Sequence, residues 1–182
     1  MKQLIIAIHP EHSLRILSGE KKTEIRARPP TIDEPCECFI YETKKLYRVN
    51  GIIYAGAGAV TGEFICDTIE KYNFDSITKQ YIMTQEQLRD TCLSMQELVA
   101  YGRETLARPV HGLRVKEPLR FETPLPLSEF LRPCKNTDCQ SCEFAKWSSC
   151  ERFCDEPKII GCGNIVTRPP QSWCWVERRC KS

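Results

Sequence analysis

Residues 19–26 read GEKKTEIR, which is the pattern G-x-K-x-x-E-x-R. Gly19 can take the positive φ that lets a chain leave a helix and turn sharply into a strand. On that strand Glu24 and Arg26 lie two residues apart and therefore share a face, while Lys21 lies near its start. A carboxylate and two cations are thus predicted to converge on a pocket for a polar, anionic ligand, although the same spacing also fits a row of surface ion pairs.

The sequence around this pattern is rich in strand formers and turn residues. Asn50-Gly51 predicts a hairpin between residues 46–49 and 52–55. Further strands are predicted at residues 2–8, 22–28, 36–41, 60–69, 109–121, 158–166 and 173–177. Short helices are predicted from Pro10 to Gly19 and, from two capping boxes, near residues 85–92 and 95–103. This order predicts an α+β fold, a small and mostly antiparallel β-barrel with flanking short helices.

Composition and charge bound the class of protein. The chain has 182 residues, of which 41% are hydrophobic and 27% charged, as in an ordinary globular protein, and residues 1–182 are predicted to form a single domain. The apolar run from Leu4 to Ile8 is too short for a signal peptide. No stretch reaches the roughly 20 apolar residues that span a bilayer. We therefore expect a cytoplasmic protein with no membrane partner.

Several segments, in order, resemble the ASCH domain, a branch of the PUA-like superfamily. Residues 19–26 resemble its signature, and residues 5–19 its opening strand and helix. VTGEF at residues 60–64 resembles its central strand, and RPPQSW at residues 168–173 its closing segment. The resemblance covers most of the chain except the helical middle and a cysteine-rich segment. It implies a five- or six-stranded barrel with a cleft at its mouth that binds RNA.

The resemblance predicts that the cleft holds single-stranded RNA or a modified nucleotide. Aromatic side chains among basic ones suit such a ligand, because a stacked base contributes about 1–3 kcal/mol. A tryptophan in this region also fits a place in the core. The predicted ligand-binding residues are Gly19, Lys21, Glu24, Arg26, Tyr54, Ser172 and Trp173.

Two other functions stay open at this point. Some proteins that the chain resembles cleave single-stranded RNA, and small bacterial relatives hydrolyse acetylated cytidine. In such an enzyme Lys21 would activate a nucleophile or stabilise charge, and Glu24 would be the general base. The hydrolases carry a threonine where this chain has Glu24, and the neighbouring Thr23 is predicted to point to the opposite face. The third reading is a metal-organised adaptor that docks a protein partner.

Five of the twelve cysteines lie in the segment 133–156. Four thiolates at close range form a tetrahedral zinc site, and the mostly polar segment needs a metal to order it. A structural zinc ion is favoured over an iron–sulfur cluster, with free or redox-linked thiols as the further alternative. The predicted ligands are Cys139, Cys142, Cys150 and Cys154, with Cys134 as the substitute. The remaining seven cysteines are predicted to be mostly small buried hydrophobes.

Overall fold

The computed structural model describes residues 1–49, 51–103, 108–133, 146–147, 159–161 and 164–178. Cys134, Cys139, Cys142, Cys150 and Cys154 lie outside the described residues. The zinc site therefore stays a prediction.

The described residues form short strands, three α-helices and one 3-10 helix at Leu127–Glu129. The helices are α1 (Pro10–Leu17), α2 (Gln85–Asp90) and α3 (Met95–Arg103). The strands are β1 (Lys2–Ile8), β2 (Thr23–Arg26), β3 (Cys36–Glu42), β4 (Leu46–Val49), β5 (Ile52–Ala55), β6 (Val60–Cys66), β7 (Ile69–Tyr72), β8 (Phe74–Asp75), β9 (Gln80–Tyr81), β10 (Val110–Arg114), β11 (Lys116–Leu125), β12 (Phe130–Leu131), β13 (Lys146–Trp147), β14 (Ile159–Gly161) and β15 (Trp173–Arg178).

Two sheets carry the architecture. The larger has six strands in the order β11-β6-β3-β1-β15-β12, and the smaller has the order β2-β10-β7. In the larger sheet β1 and β3 run parallel, and the other pairs are antiparallel. The predicted strand-rich α+β fold with mostly antiparallel sheets is confirmed. Strand pairing within the described residues does not close a barrel, so the barrel stays a prediction.

Two predicted strands are each divided between the sheets. The predicted strand 60–69 becomes β6 in the larger sheet, and β7 begins at Ile69 in the smaller one. The predicted strand 109–121 is likewise divided into β10 and β11. The two segments that pass from one sheet to the other are in contact, because the backbone N–H of Arg114 donates to the carbonyl of Thr68. Alternation of side chains predicts a strand but not a change of sheet partner, which explains both differences.

The central strands β1 and β3 are buried on both faces. Leu4, Ile6, Cys38 and Ile40 point into one core cluster with Ile16 of α1. The alternate residues of the same strands, including Ile5 and Phe39, point into a second cluster with Phe130 and Val176. Strands covered on both faces read as continuous apolar runs, as residues 4–6 do. Cys36, Cys38 and Cys66 are buried in this core, as predicted for small hydrophobes.

A third cluster packs the helical middle of the chain against the smaller sheet. It joins Ile25 of β2 and Val110 of β10 to Leu98 of α3. Both predicted capping boxes are present: Thr84 with Gln87 begins α2, and Ser94 with Glu97 begins α3. Since Ile25 faces this cluster, its neighbours Glu24 and Arg26 face the other side of β2.

No helix among the described residues is both long and apolar enough to cross a bilayer.

Phe39→Ala tests the importance of the doubly covered strand. The Phe39 ring is fully buried, with its centroid 4.9 Å from that of Phe130. We expect its removal to lower the free energy of unfolding by about 3–5 kcal/mol, because it leaves a cavity in the core. Urea unfolding followed by circular dichroism measures the change. Leu119→Ala, at an exposed site on β11, is the control and should change stability by less than about 0.5 kcal/mol; equal effects would contradict this core.

Candidate functional site: a buried ion cluster beside a polar pocket

The turn after α1 brings the G-x-K-x-x-E-x-R pattern into position. Gly19 has φ +78°, the left-handed conformation that the sequence predicts for it. The backbone N–H of Lys21 then donates to the carbonyl of Arg15 in α1. Strand β2 follows and pairs with β10, with Glu24 opposite Leu113 and Arg26 opposite His111. The pattern is therefore fixed between α1 and the smaller sheet.

Lys21, Glu24 and Arg26 converge in a buried ion cluster. Their relative exposures are 1%, 5% and 9%. Lys21 Nζ lies 3.5 Å from Glu24 Oε2, and Arg26 Nη2 lies 2.9 Å from Glu24 Oε1. Two backbone carbonyls complete the cluster: that of Thr91 accepts from Lys21 Nζ, and that of Ala7 accepts from Arg26 Nη2 at 2.7 Å. Because all three side chains are buried, the alternative interpretation of the pattern as a row of ion pairs on the surface is excluded.

The cluster keeps its carboxylate charged. Burial acts to raise the pKa of Glu24, but the charges of Arg26 and Lys21 together bring that pKa below its usual range. Glu24 is therefore an anion at neutral pH, held between two cations. One positive charge is left in excess, which gives this buried site an attraction for an anionic ligand.

A pocket of about 950 Å³ opens beside the cluster. Its walls come from α1, β2, the chain after β3, the α2–α3 region and the segment before β15. Its lining residues are Ala7, His9, Glu11, His12, Arg15, Lys21, Glu24, Ile25, Arg26, Tyr41, Thr43, Lys44, Lys45, Cys92, Leu93, Glu97, Tyr101, Pro169, Pro170 and Gln171. The volume lies within the roughly 300–1,000 Å³ typical of small-molecule sites.

Two nitrogens at this pocket have no hydrogen-bond partner among the described residues. They are Arg26 Nε and His12 Nδ1, and both are buried. Burial lowers the pKa of His12, and the charge of Lys21 lowers it further, against the opposing effects of Glu24 and Glu11. His12 is therefore a neutral imidazole at pH 7, able to donate from one nitrogen and accept at the other. Both nitrogens are closed off from solvent, so a ligand in the pocket would reach them only after a shift of the side chains.

Sequence reasoning missed His12 and Arg15. They lie three residues apart on α1, one helical turn, which is a signal that places both on one face. The sequence does not show that this face of α1 lies next to β2, which is why the two residues were not predicted. Arg15 donates to Glu11 at 2.9 Å and to the Cys92 carbonyl at 3.0 Å, so it ties α1 to the helical middle of the chain.

Four residues predicted to bind ligand lie outside the pocket lining: Gly19, Tyr54, Ser172 and Trp173. Gly19 forms the turn into β2, and Tyr54 lies on the β4–β5 hairpin. The Ser172 carbonyl accepts from Ala7 N, and the Trp173 indole donates to the Arg28 carbonyl at 2.8 Å while packing against the core. Their roles in binding stay predictions, whereas the neighbouring residues 169–171 do line the pocket.

Glu24→Ala tests the energetics of the cluster. Removing the carboxylate leaves two buried cations without their anion, so we expect a loss of about 3–5 kcal/mol in the free energy of unfolding. Adding Lys21→Met should recover part of the loss, because one uncompensated charge is then gone. Glu11→Ala breaks the more exposed pair with Arg15 and should cost at most about 1 kcal/mol. Urea unfolding measures all three, and a loss no larger for Glu24→Ala than for Glu11→Ala would contradict the burial.

The lowered pKa of His12 predicts a pH dependence. In the unfolded chain the imidazole titrates near its ordinary value of 6.5, so below that pH the unfolded state binds more protons than the folded state. The stability of the fold should therefore fall as pH drops below about 6.5, and His12→Gln should lessen the fall. NMR titration of the His12 ring measures the pKa directly. A midpoint at or above 6.5 would contradict the structure.

Comparison with known proteins gives one consistent result. No protein-family model and no curated protein matches the chain. Among solved structures it is similar to an ASCH protein from Zymomonas mobilis, with TM-score 0.59, 18% identity and coverage of 97% of this chain and 88% of that one. A tyrosine-to-phenylalanine mutant of that protein gives TM-score 0.59, 17% identity and coverages of 98% and 93%. A serine-to-alanine mutant gives TM-score 0.58, 16% identity and coverages of 98% of this chain and 90% of that one. The chain therefore has the fold of the ASCH domain.

Proposed function

We propose that the pocket beside Lys21, Glu24 and Arg26 binds a nucleotide, either free or as one unit of single-stranded RNA. The observation that carries the proposal is the buried ion cluster, which offers charged donors and a charged acceptor at one wall of a cavity. A nucleotide needs both, because its phosphate accepts hydrogen bonds and its base or sugar donates them.

The charges around the pocket support an anionic ligand. Five cationic side chains line it, Arg15, Lys21, Arg26, Lys44 and Lys45, against three carboxylates, Glu11, Glu24 and Glu97. The cations at the rim would hold phosphate, and those in the cluster lower the pKa of Glu24 and so keep it ionised. A carboxylate has about four acceptor positions, so Glu24 retains capacity to accept from an exocyclic amino group or a hydroxyl.

The depth of the site supports a single-stranded ligand. A base inside a duplex is stacked and paired, and it would have to leave the helix to enter a cavity of this kind. Bases of single strands are free to enter, and their polar edges and phosphates would meet Glu24 and the cations that line the pocket.

The hydrolytic alternatives find less support. A general base works best with a pKa near the operating pH, and the pKa of Glu24 is lowered instead. Thr23, adjacent in sequence, lines a different cavity with Lys22 and Glu70, in agreement with its predicted direction. The adaptor alternative depends on the cysteine segment, which lies outside the described residues.

Arg15→Ala tests the proposal at a pocket cation that is about one-third exposed and therefore less buried than Lys21 and Arg26. A labelled RNA 12-mer of random sequence should bind wild type with an affinity that falls as salt rises. Losing one charged contact should weaken binding about 10-fold. Fluorescence anisotropy measures the affinity, and thermal melting checks the fold.

Lys71→Ala is the matched control, since it removes one exposed cation from β7 outside the pocket; it should change affinity less than about 2-fold. Equal weakening by both variants, or no binding by wild type, would overturn the proposal. The same samples run on a denaturing gel also report cleavage, and cleavage lost in Glu24→Gln would establish the enzyme instead.

A further inference from the structure

The β4–β5 hairpin exposes unusually large apolar side chains. Leu46, Ile52, Ile53 and Tyr54 have relative exposures between 42% and 67%. Within the part of the chain that the structure describes, these strands pair with each other and with no third strand. A two-stranded ribbon has no core of its own. By the alternation of side chains, Leu46 and Ile53 lie on one face of the hairpin, and Ile52 and Tyr54 on the other. Large apolar side chains exposed on both faces indicate a segment that contacts another molecule.

Two tyrosines form a stacked pair on one face of this hairpin. Tyr47 and Tyr54 are directly opposite in the strand register, with ring centroids 5.4 Å apart and an interplanar angle of 27°. Tyr54 is the more open of the two, so part of its ring is accessible to solvent. An exposed aromatic ring backed by another is a platform on which a nucleobase stacks irrespective of its identity.

The charge of the hairpin is of one sign. Residues 43–62 contain Lys44, Lys45 and Arg48 and no acidic residue. All three cations are exposed. The nearest preceding carboxylate, Glu42, is buried and accepts a hydrogen bond from the backbone N–H of Ala57 at 2.9 Å. The tyrosine pair lies on one face of the hairpin and Arg48 on the opposite face, while Lys44 and Lys45 precede β4. An exposed aromatic face on a segment without negative charge is complementary to a single nucleic-acid strand.

The hairpin also begins at the rim of the pocket. Thr43, Lys44 and Lys45 line the pocket, and the next residue, Leu46, starts β4. A strand of RNA with one nucleotide in the pocket would pass these lysines and continue along the hairpin. We propose that this hairpin is a second contact for single-stranded RNA, where a base stacks on Tyr54. The inference rests on the function proposed for the pocket.

A second copy of the chain fits this surface less well. Leu46, Ile52 and Ile53 suit a protein interface, but a symmetric contact through the hairpin would bring like charges of both copies together, which is unfavourable. A protein partner would need an acidic surface. The tyrosine pair and the continuity with the pocket favour RNA.

The test separates the two contacts by ligand length. The RNA 12-mer spans pocket and hairpin, whereas each of the four nucleoside 5′-monophosphates, tested one at a time, occupies the pocket alone. Tyr54→Ala should weaken the 12-mer about 5- to 150-fold, the effect of one lost base stack, and leave monophosphate affinity within about 2-fold. Tyr54→Trp should retain 12-mer binding.

Ile77→Ala is the control for removing an exposed apolar side chain away from the hairpin, and it should leave both ligands unaffected. If Arg15→Ala weakens the 12-mer and Tyr54→Ala does not, the hairpin contact is overturned and the pocket function stands. If Tyr54→Ala alone weakens it, the hairpin contact stands and the pocket function fails. Equal weakening of 12-mer and monophosphates by Tyr54→Ala would overturn the inference. It would also be overturned if sedimentation showed a dimer and if Ile53→Ser dissociated that dimer without changing the affinity for RNA.

Discussion

The burial of Lys21 and Arg26 around one carboxylate is the constraint on which the rest of the site depends. Moving a charged group out of water costs several kcal/mol, and only close partners offset that cost. Glu24 forms an ion pair with each of the two cations. Two backbone carbonyls from distant parts of the chain accept further hydrogen bonds from them. Thr91 ends α2 and Ala7 belongs to β1, so the cluster joins the helical middle to the larger sheet.

The contacts of this ion cluster with the larger sheet and the helical middle explain the position of the pocket. Strand β2 has Ile25 packed on one side and the ion cluster on the other, which leaves little freedom for its backbone. The helix α1 is tied to the same place by Arg15, through Glu11 and the Cys92 carbonyl. The polar wall of the pocket is therefore held before any ligand arrives, and preorganised donors and acceptors cost less entropy on binding.

Local features of the fold were predictable from the sequence, and long-range ones were not. The convergence of Glu24 and Arg26 follows from the two-residue period of a strand, and the Asn50-Gly51 hairpin and both capping boxes follow from turn and helix chemistry. The depth of the cluster depends on Thr91, 70 residues away from Lys21, and no local pattern encodes that contact. The same applies to His12, whose role requires the orientation of α1, and to Tyr54, which was expected in the cleft and lies on a hairpin beside it.

Hydrogen bonds at the base of the β4–β5 hairpin fix its position relative to the pocket, and so fix the position of the RNA contact proposed at Tyr54. Gly58 N donates to the Glu42 carbonyl, Ala57 N donates to the Glu42 side chain, and Gly56 N donates to the Lys45 carbonyl. A Cβ on Gly56 would collide with the carbonyl of Thr43, so the two chain segments approach as closely as glycine allows. Because these bonds hold both ends of the hairpin at the pocket rim, its direction is set by the same backbone that lines the pocket. A nucleotide in the pocket and a base on Tyr54 would then be held at a nearly constant separation, which lets the two contacts add their affinities within one RNA strand.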